Sequence, residues 1–275
     1  MNTTVTPLPG YTRENLPEHP SVGVALLHTS PAEIEALDAA EWFEARDLTE
    51  YATLKNRARR VEWFASRIAL KHMLAEDGLI ESPLHAHIRK NAKGAPHLVI
   101  YNPDTGHYAQ LHCSLSHKGP LVGAAYSREP NLRIGIDIEK RSWRLARLRR
   151  EFTHEADDMA DKSDSTGGFT VLWAFKEAAT KLLGVGMAYG FSKVSCRETG
   201  AGVCELRDAG ANHYSGLYRW FGKYAVALVS DPPRPAPPPV TRIKRKHTLF
   251  QRLARARRLR RIRKLRTAPR VIAVD

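Results

Sequence analysis

Apolar residues along the chain fall into short runs and longer helical rows, and the changes between them mark the elements. Residues 21–28 (SVGVALLH) form a run of strand length, and residues 31–46 show helical spacing with proline in the first turn. A long helical pattern covers about residues 48–77 and stops at Gly78. Residues 86–89 and 97–101 read as short strands on either side of a turn at residues 91–96. Residues 111–116, 121–126 and 133–139 read as strands, residues 145–151 and 168–183 as helices, and residues 223–229 (KYAVALV) as a buried strand. The pattern predicts an α+β chain in two successive halves, 20–128 and 129–230, behind a loop-rich arm at 1–19.

Beyond residue 230 the pattern changes. Six of the ten residues in 231–240 (DPPRPAPPPV) are proline, which predicts an extended, semi-rigid linker. In 241–275, Leu249, Leu253, Ala256, Leu259, Ile262 and Leu265 recur at three- and four-residue steps among Arg and Lys, the pattern of a basic amphipathic helix.

The chain has 275 residues and a formal net charge of +14. Residues 241–275 hold fourteen Lys or Arg and one acid, leaving 29 basic and 28 acidic side chains in residues 1–240. The basicity therefore belongs to the tail, and the body lacks the dispersed positive charge of a nucleic-acid-binding scaffold. No run approaches the roughly 20 apolar residues of a membrane span. The N-terminus lacks a basic region followed by an apolar one, so no secretory signal is expected. Three cysteines are too few and too irregular for a disulfide framework or zinc site. A cytoplasmic location is the resulting expectation.

Three stretches carry candidate chemistry. In a strand over residues 133–139 (RIGIDIE), Asp137 and Glu139 project to one side and Ile134, Ile136 and Ile138 to the other. Paired carboxylates repel unless a cation lies between them, and oxygen ligands of this kind suit Mg²⁺. The same alternation also fits an edge strand with a solvated acidic face. In residues 173–184 (WAFKEAATKLLG), helical spacing sets Trp173, Lys176, Glu177, Thr180, Lys181 and Gly184 along one broad face. That face reads either as a phosphate-facing surface or as a core tryptophan beside an ordinary i,i+4 ion pair. Residues 112–119 (HCSLSHKG) read as a strand end entering a turn whose hydroxyls, imidazole and ammonium could bond a phosphate. A Ser–His hydrolase is the weaker reading, because no G-x-S-x-G elbow is present.

Taken in this order, Ser116-His117, the stretch Gly135 to Glu139 and the stretch Trp173 to Lys181 resemble the motifs of the phosphopantetheinyl transferase superfamily. Residues 151–155 (EFTHE) resemble the family's segment between its last two motifs, Arg67 with Ala69-Leu70-Lys71 its R-x-x-L-K helix, and residues 91–98 its glycine-proline turn. The resemblance covers roughly residues 45–230. Length points to the Sfp-type, two-lobed branch rather than the short trimeric synthases. It implies two similar α/β lobes in a pseudo-two-fold arrangement with the active site between them. It implies transfer of the 4′-phosphopantetheine arm of coenzyme A to a serine of an acyl or peptidyl carrier protein, with release of 3′,5′-ADP. Such carrier proteins serve fatty-acid, polyketide or nonribosomal-peptide synthesis. Asp137, Glu139 and Glu177 would ligate Mg²⁺, Glu177 or a metal-held water would take the serine proton, and Lys181 would stabilise phosphate charge. Ser116, His117, Lys55, Arg67 and Lys176 would serve coenzyme A. Gly94-Ala95-Pro96 departs from the family in carrying alanine where lysine is common, with Lys93 on the other side of the glycine. A monomer is expected.

Two other classes compete. A nucleic-acid-binding protein acting through its basic tail conflicts with the neutral body. A metal-dependent nuclease leaves the Ser116-His117 and Trp173–Lys181 motifs unexplained. The tail itself suits an anionic surface, RNA or an acidic partner.

Overall fold

Strands β1 (Tyr11–Glu14) and β2 (Val22–His28) pair antiparallel at the start of the chain. Four helices follow: α1 (Pro31–Glu35), α2 (Ala39–Trp42), α3 (Ala45–Ala52) and α4 (Arg57–Glu76). The sequence pattern predicted two longer helices here, over 31–46 and 48–77, and side-chain caps explain why they are broken. Ser30 and Glu33 form a capping box on α1, Asp38 accepts from the Ala40 N–H at the start of α2, and Asn56 accepts from the Arg59 N–H at the start of α4. Each cap satisfies a helix's first N–H groups and restarts the chain where apolar spacing alone runs on.

The computed structural model describes residues 8–92, 94–159 and 165–232. Lys93, the first seven residues of the expected arm, the linker from residue 233 and the basic tail lie outside the described residues. Strands β3 (Ala86–Lys90), β4 (Pro96–Asn102), β5 (His107–Lys118) and β6 (Leu121–Ser127) complete a six-stranded antiparallel sheet in the order β1-β2-β6-β5-β4-β3. After β7 (Ile134–Lys140) come α5 (Trp143–Phe152), α6 (Ser165–Leu183), β8 (Ser195–Gly200), β9 (Val203–Arg207), β10 (His213–Phe221) and β11 (Tyr224–Ser230). These strands form a second antiparallel sheet, β7-β11-β10-β9-β8. The stretch expected to be a turn at residues 117–118 is strand, and β5 turns only at Gly119, where φ is +59°.

Strand alternation builds three apolar cores. Val22, Val24 and Leu26 of β2 meet Ile134, Ile136 and Ile138 of β7 and Val226 and Leu228 of β11 between the two sheets. The opposite face of the first sheet packs on α4, and that of the second on α6. The described residues group into one compact unit.

Strand β7 is an edge of its sheet, yet two of its N–H groups are bonded across the sheet boundary. Ile136 N–H donates to Ser114 Oγ at 3.0 Å and Ile138 N–H to Ser116 Oγ at 3.1 Å. Hydroxyls two residues apart on β5 thus match amides two residues apart on β7, so the edge is paired rather than open. On its other face β7 approaches α6 so closely that a Cβ on Gly135 would stand 1.9 Å from the Ala178 carbonyl oxygen. Arg133 and Asp231 close the start of β7 onto the end of β11. The guanidinium donates at 2.7 and 3.1 Å to the two carboxylate oxygens, and the Arg133 N–H adds a bond of 2.9 Å.

Candidate active site

Gly135, Asp137 and Glu139 occupy the β7 face that meets α6, as strand alternation requires. Asp137 is 3% exposed and Glu139 9%. Helical spacing brings Trp173, Glu177 and Lys181 to the same interface. The Trp173 indole donates to Glu177 Oε1 at 3.0 Å. Lys181 Nζ donates to Asp137 Oδ1 at 2.7 Å, to Ser116 Oγ at 3.0 Å and to the Ile136 carbonyl at 3.0 Å. The Ser116 hydroxyl donates to the same Asp137 Oδ1 at 2.8 Å. One carboxylate oxygen therefore gathers a hydroxyl from β5 and an ammonium from α6.

Opposed influences meet at Glu177. Burial raises its pKa most, the Asp137 charge adds to this, Lys181 and the indole bond oppose it, and Glu139 adds again, with the result pushed up to about 7. Glu139 is held from β5 by Lys118 Nζ, 2.8 and 2.9 Å from its two oxygens. His117, beside Lys118, has Nδ1 3.3 Å from Glu62 Oε1 of α4. Burial lowers the His117 pKa, and the Glu62 charge opposes this.

Among the described residues, no three His, Cys, Asp or Glu side chains converge tightly enough as they stand to hold a metal ion. The donor set nevertheless fits a hard divalent cation. Asp137 Oδ2 is buried and has no hydrogen-bond partner, and Asp137 and Glu139 both act electrostatically on Glu177. A buried carboxylate oxygen left unpaired, with two further carboxylates near enough to act on one another, is chemistry that Mg²⁺ satisfies with oxygen ligands.

The residues assigned to coenzyme A are not all at this interface. Ser116 is; His117, next to it on β5, lies against Glu62 of α4, with Lys181 and Asp137 acting on it only through their charge. Lys176 is not, and its assignment to a phosphate-facing surface is corrected. It is fully buried, its ammonium donating at 2.7 Å to both Asp157 Oδ2 and the Phe152 carbonyl. The helical face inferred from spacing was too broad, for Lys176 and Glu177 leave α6 in different directions. Arg67 lies in the core of the first sheet, stacked 3.9 Å over the Trp63 ring and bonded to the Trp63 carbonyl at 3.2 Å. Burial pushes its pKa down to about 10 against the charge of Glu50. Lys55 is exposed, immediately before the Asn56 cap of α4.

Sequence reasoning read the Lys118 ammonium as a phosphate donor but missed its hold on Glu139, and it missed Glu62 and the Trp173–Glu177 bond. The signal for Lys118 was present, since Ser116 and Lys118 stand two apart, as Asp137 and Glu139 do. Extending the β5 strand by two residues would have placed Lys118 on the site side. Nothing local marks Glu62, which reaches His117 only through tertiary packing.

Residues 133–229, from the start of β7 almost to the end of β11, match the family model described as 4′-phosphopantetheinyl transferase superfamily. The 4′-phosphopantetheinyl transferase Sfp of Bacillus subtilis is 31% identical over 128 residues, covering 44% of this chain and 56% of that protein. The 4′-phosphopantetheinyl transferase psf-1 of Bacillus pumilus is 28% identical over 212 residues, 74% of this chain and 84% of that protein. The L-aminoadipate-semialdehyde dehydrogenase-phosphopantetheinyl transferase of Homo sapiens is 28% identical over 138 residues, and the match spans 43% of its length. The family resemblance read from the motifs is borne out, including its Sfp-type character.

Proposed function

We propose that this chain transfers the 4′-phosphopantetheine arm of coenzyme A to a serine of an apo acyl or peptidyl carrier protein, releasing 3′,5′-ADP in a Mg²⁺-dependent reaction. The observation that carries the reading is the meeting of Asp137, Glu177 and Lys181 at the β7–α6 contact, inside the segment that matches the family model. Asp137, Glu139 and Glu177 would hold the cation, which supplies charge neutralisation to the pyrophosphate of coenzyme A. Glu177, or a water held by the cation, would take the proton of the incoming serine hydroxyl. Lys181, bonded to Asp137 at 2.7 Å, would present a positive charge beside the phosphates. Ser116 orients Asp137, His117 faces the nucleotide side, and Lys55 is an exposed cation available to its phosphate. Lys176 has no place in this scheme. Catalysis as a monomer in the cytoplasm belongs to the same reading, as does a tail that engages an anionic surface, RNA or an acidic partner.

Neither rival gains support. No comparison returned a nuclease or nucleic-acid-binding relative among the matches above, and among the described residues no helix is long and apolar enough to cross a membrane. The deciding experiment is intact-mass spectrometry of an apo carrier protein incubated with the full chain, coenzyme A and either MgCl₂ or EDTA. The expected result is a gain of about 340 Da, one phosphopantetheine, in the magnesium sample alone. Glu177→Ala is expected to lower the rate by about 10²–10⁴, and Asp137→Ala to abolish transfer. No mass gain across carrier proteins of all three pathway types would overturn the proposal.

A further inference from the structure

The three carboxylates are not equally open to a cation. Asp137 has one oxygen tied to Lys181 and Ser116 and the other buried with no hydrogen-bond partner. Glu177 receives the Trp173 indole on one oxygen. Glu139 is engaged on both. Lys118 Nζ lies 2.8 Å from Oε1 and 2.9 Å from Oε2, and Oε1 also accepts the Lys140 N–H at 3.1 Å. Lys118 reaches Glu139 because β5 runs straight through residues 116–118 alongside β7, which sets Ser116 opposite Asp137 and Lys118 opposite Glu139. The Lys118 side chain is 44% exposed while that of Glu139 is 12% exposed, so the ammonium reaches water more readily than the carboxylate.

We propose that Lys118 is a tethered competitor for the divalent cation, holding Glu139 until a metal ion displaces its ammonium into solvent. Metal binding and release of the Lys118–Glu139 pair are then one equilibrium, and Lys118 sets the metal concentration the protein requires. A cation arriving at Asp137 and Glu177 completes its ligand set with Glu139 only by breaking this pair. The proposal rests on the metal-site reading given above.

The test is Mn²⁺ binding measured by electron paramagnetic resonance on the full chain without coenzyme A, so the readout is independent of transfer. Wild type is compared with Lys118→Gln, Glu139→Gln, the double variant and Asp137→Asn. Removing the half-exposed ion pair is expected to tighten Mn²⁺ binding about fivefold in Lys118→Gln. In the Glu139→Gln background the same change is expected to gain less than about twofold, because no pair remains to be broken. An unchanged affinity in Lys118→Gln overturns the proposal, as does an equal gain in both backgrounds, which would make Lys118 a general repulsive charge. Loss of binding in Asp137→Asn with an unaltered Lys118→Gln would leave the metal site standing and remove only the competitor. Mn²⁺ bound by none of these proteins would overturn both. A thermal melt of each variant in EDTA, compared with wild type, verifies that the binding comparison is between folded proteins.

Discussion

Glu177 is a carboxyl whose surroundings hold on to its proton, and this has a consequence for stability. Its folded pKa, about 7, lies above the ordinary carboxylate value of 4.5. An unfolded chain therefore releases this proton more readily. Below pH 4.5 the group is neutral in both states and carries no penalty. Between 4.5 and 7 the unfolded state gains on the folded one, and above 7 the full penalty is present. Glu177→Gln is expected to raise stability at pH 8 by about 2 kcal/mol and to change it little at pH 4.5, read as thermal melts at both values in EDTA. Lys176 behaves in the opposite sense. Its ammonium is enclosed with Asp157, whose other oxygen accepts the Cys196 N–H at 2.8 Å, so the pair ties α6 to the segment after α5 and to β8. Asp157→Ala leaves that charge buried without its counter-charge and is expected to cost about 3–5 kcal/mol in denaturant unfolding. At this scale the sequence revealed residue types better than directions. Asp137 and Glu139 were assigned to one face because a strand permits only two choices. Lys176 was misassigned because a helix face inferred from spacing spans many degrees, and only packing decides which lysine it includes.

Individual elements were legible where one rule dominated. The β7 strand follows from its alternation, and its glycine has a visible purpose once α6 is in place. Gly135→Ala would drive a methyl into the Ala178 carbonyl, and backbone on both sides of the contact leaves little room to relax. The variant is expected to lose at least about 3 kcal/mol, with transfer falling as α6 is pushed from β7. The helices before β3 were harder to read, because apolar spacing continues through residues where Asp38 and Asn56 restart the backbone. Asn56→Ala is expected to cost about 1 kcal/mol in thermal or urea unfolding, and Asn56→Gly only a few tenths. The β5 strand was cut short for a related reason. A run of Ser, His, Lys and Gly has the composition of a turn, and the hydroxyls that make it look like one are instead engaged by β7 amides.

For the molecule as a whole, two antiparallel sheets each pack one face on a long helix. Their face-to-face packing was not legible, because the same isoleucines would suit any apolar partner. The charge pattern argues that the basic tail and the folded body are separate devices, since the body is near neutral without the tail. Removing residues 241–275 is expected to leave the melting temperature within about 2 °C and turnover at saturating carrier protein within about twofold of the full chain. A large loss of turnover in that truncation would show that the tail belongs to the catalytic unit.

The clasp between Arg133 and Asp231 gives the body a mechanical property. Asp231 is the point from which the chain leaves the second sheet toward the linker, and its carboxylate is fastened to the first residue before β7. Any tension applied through the linker by an anchored tail would enter the body there, at the end of β7 remote from Glu139. Shearing two antiparallel strands loads their hydrogen bonds together, whereas peeling breaks them singly. The clasp joins the exit of β11 to the entry of β7, so the two strands cannot part at that end without first breaking it.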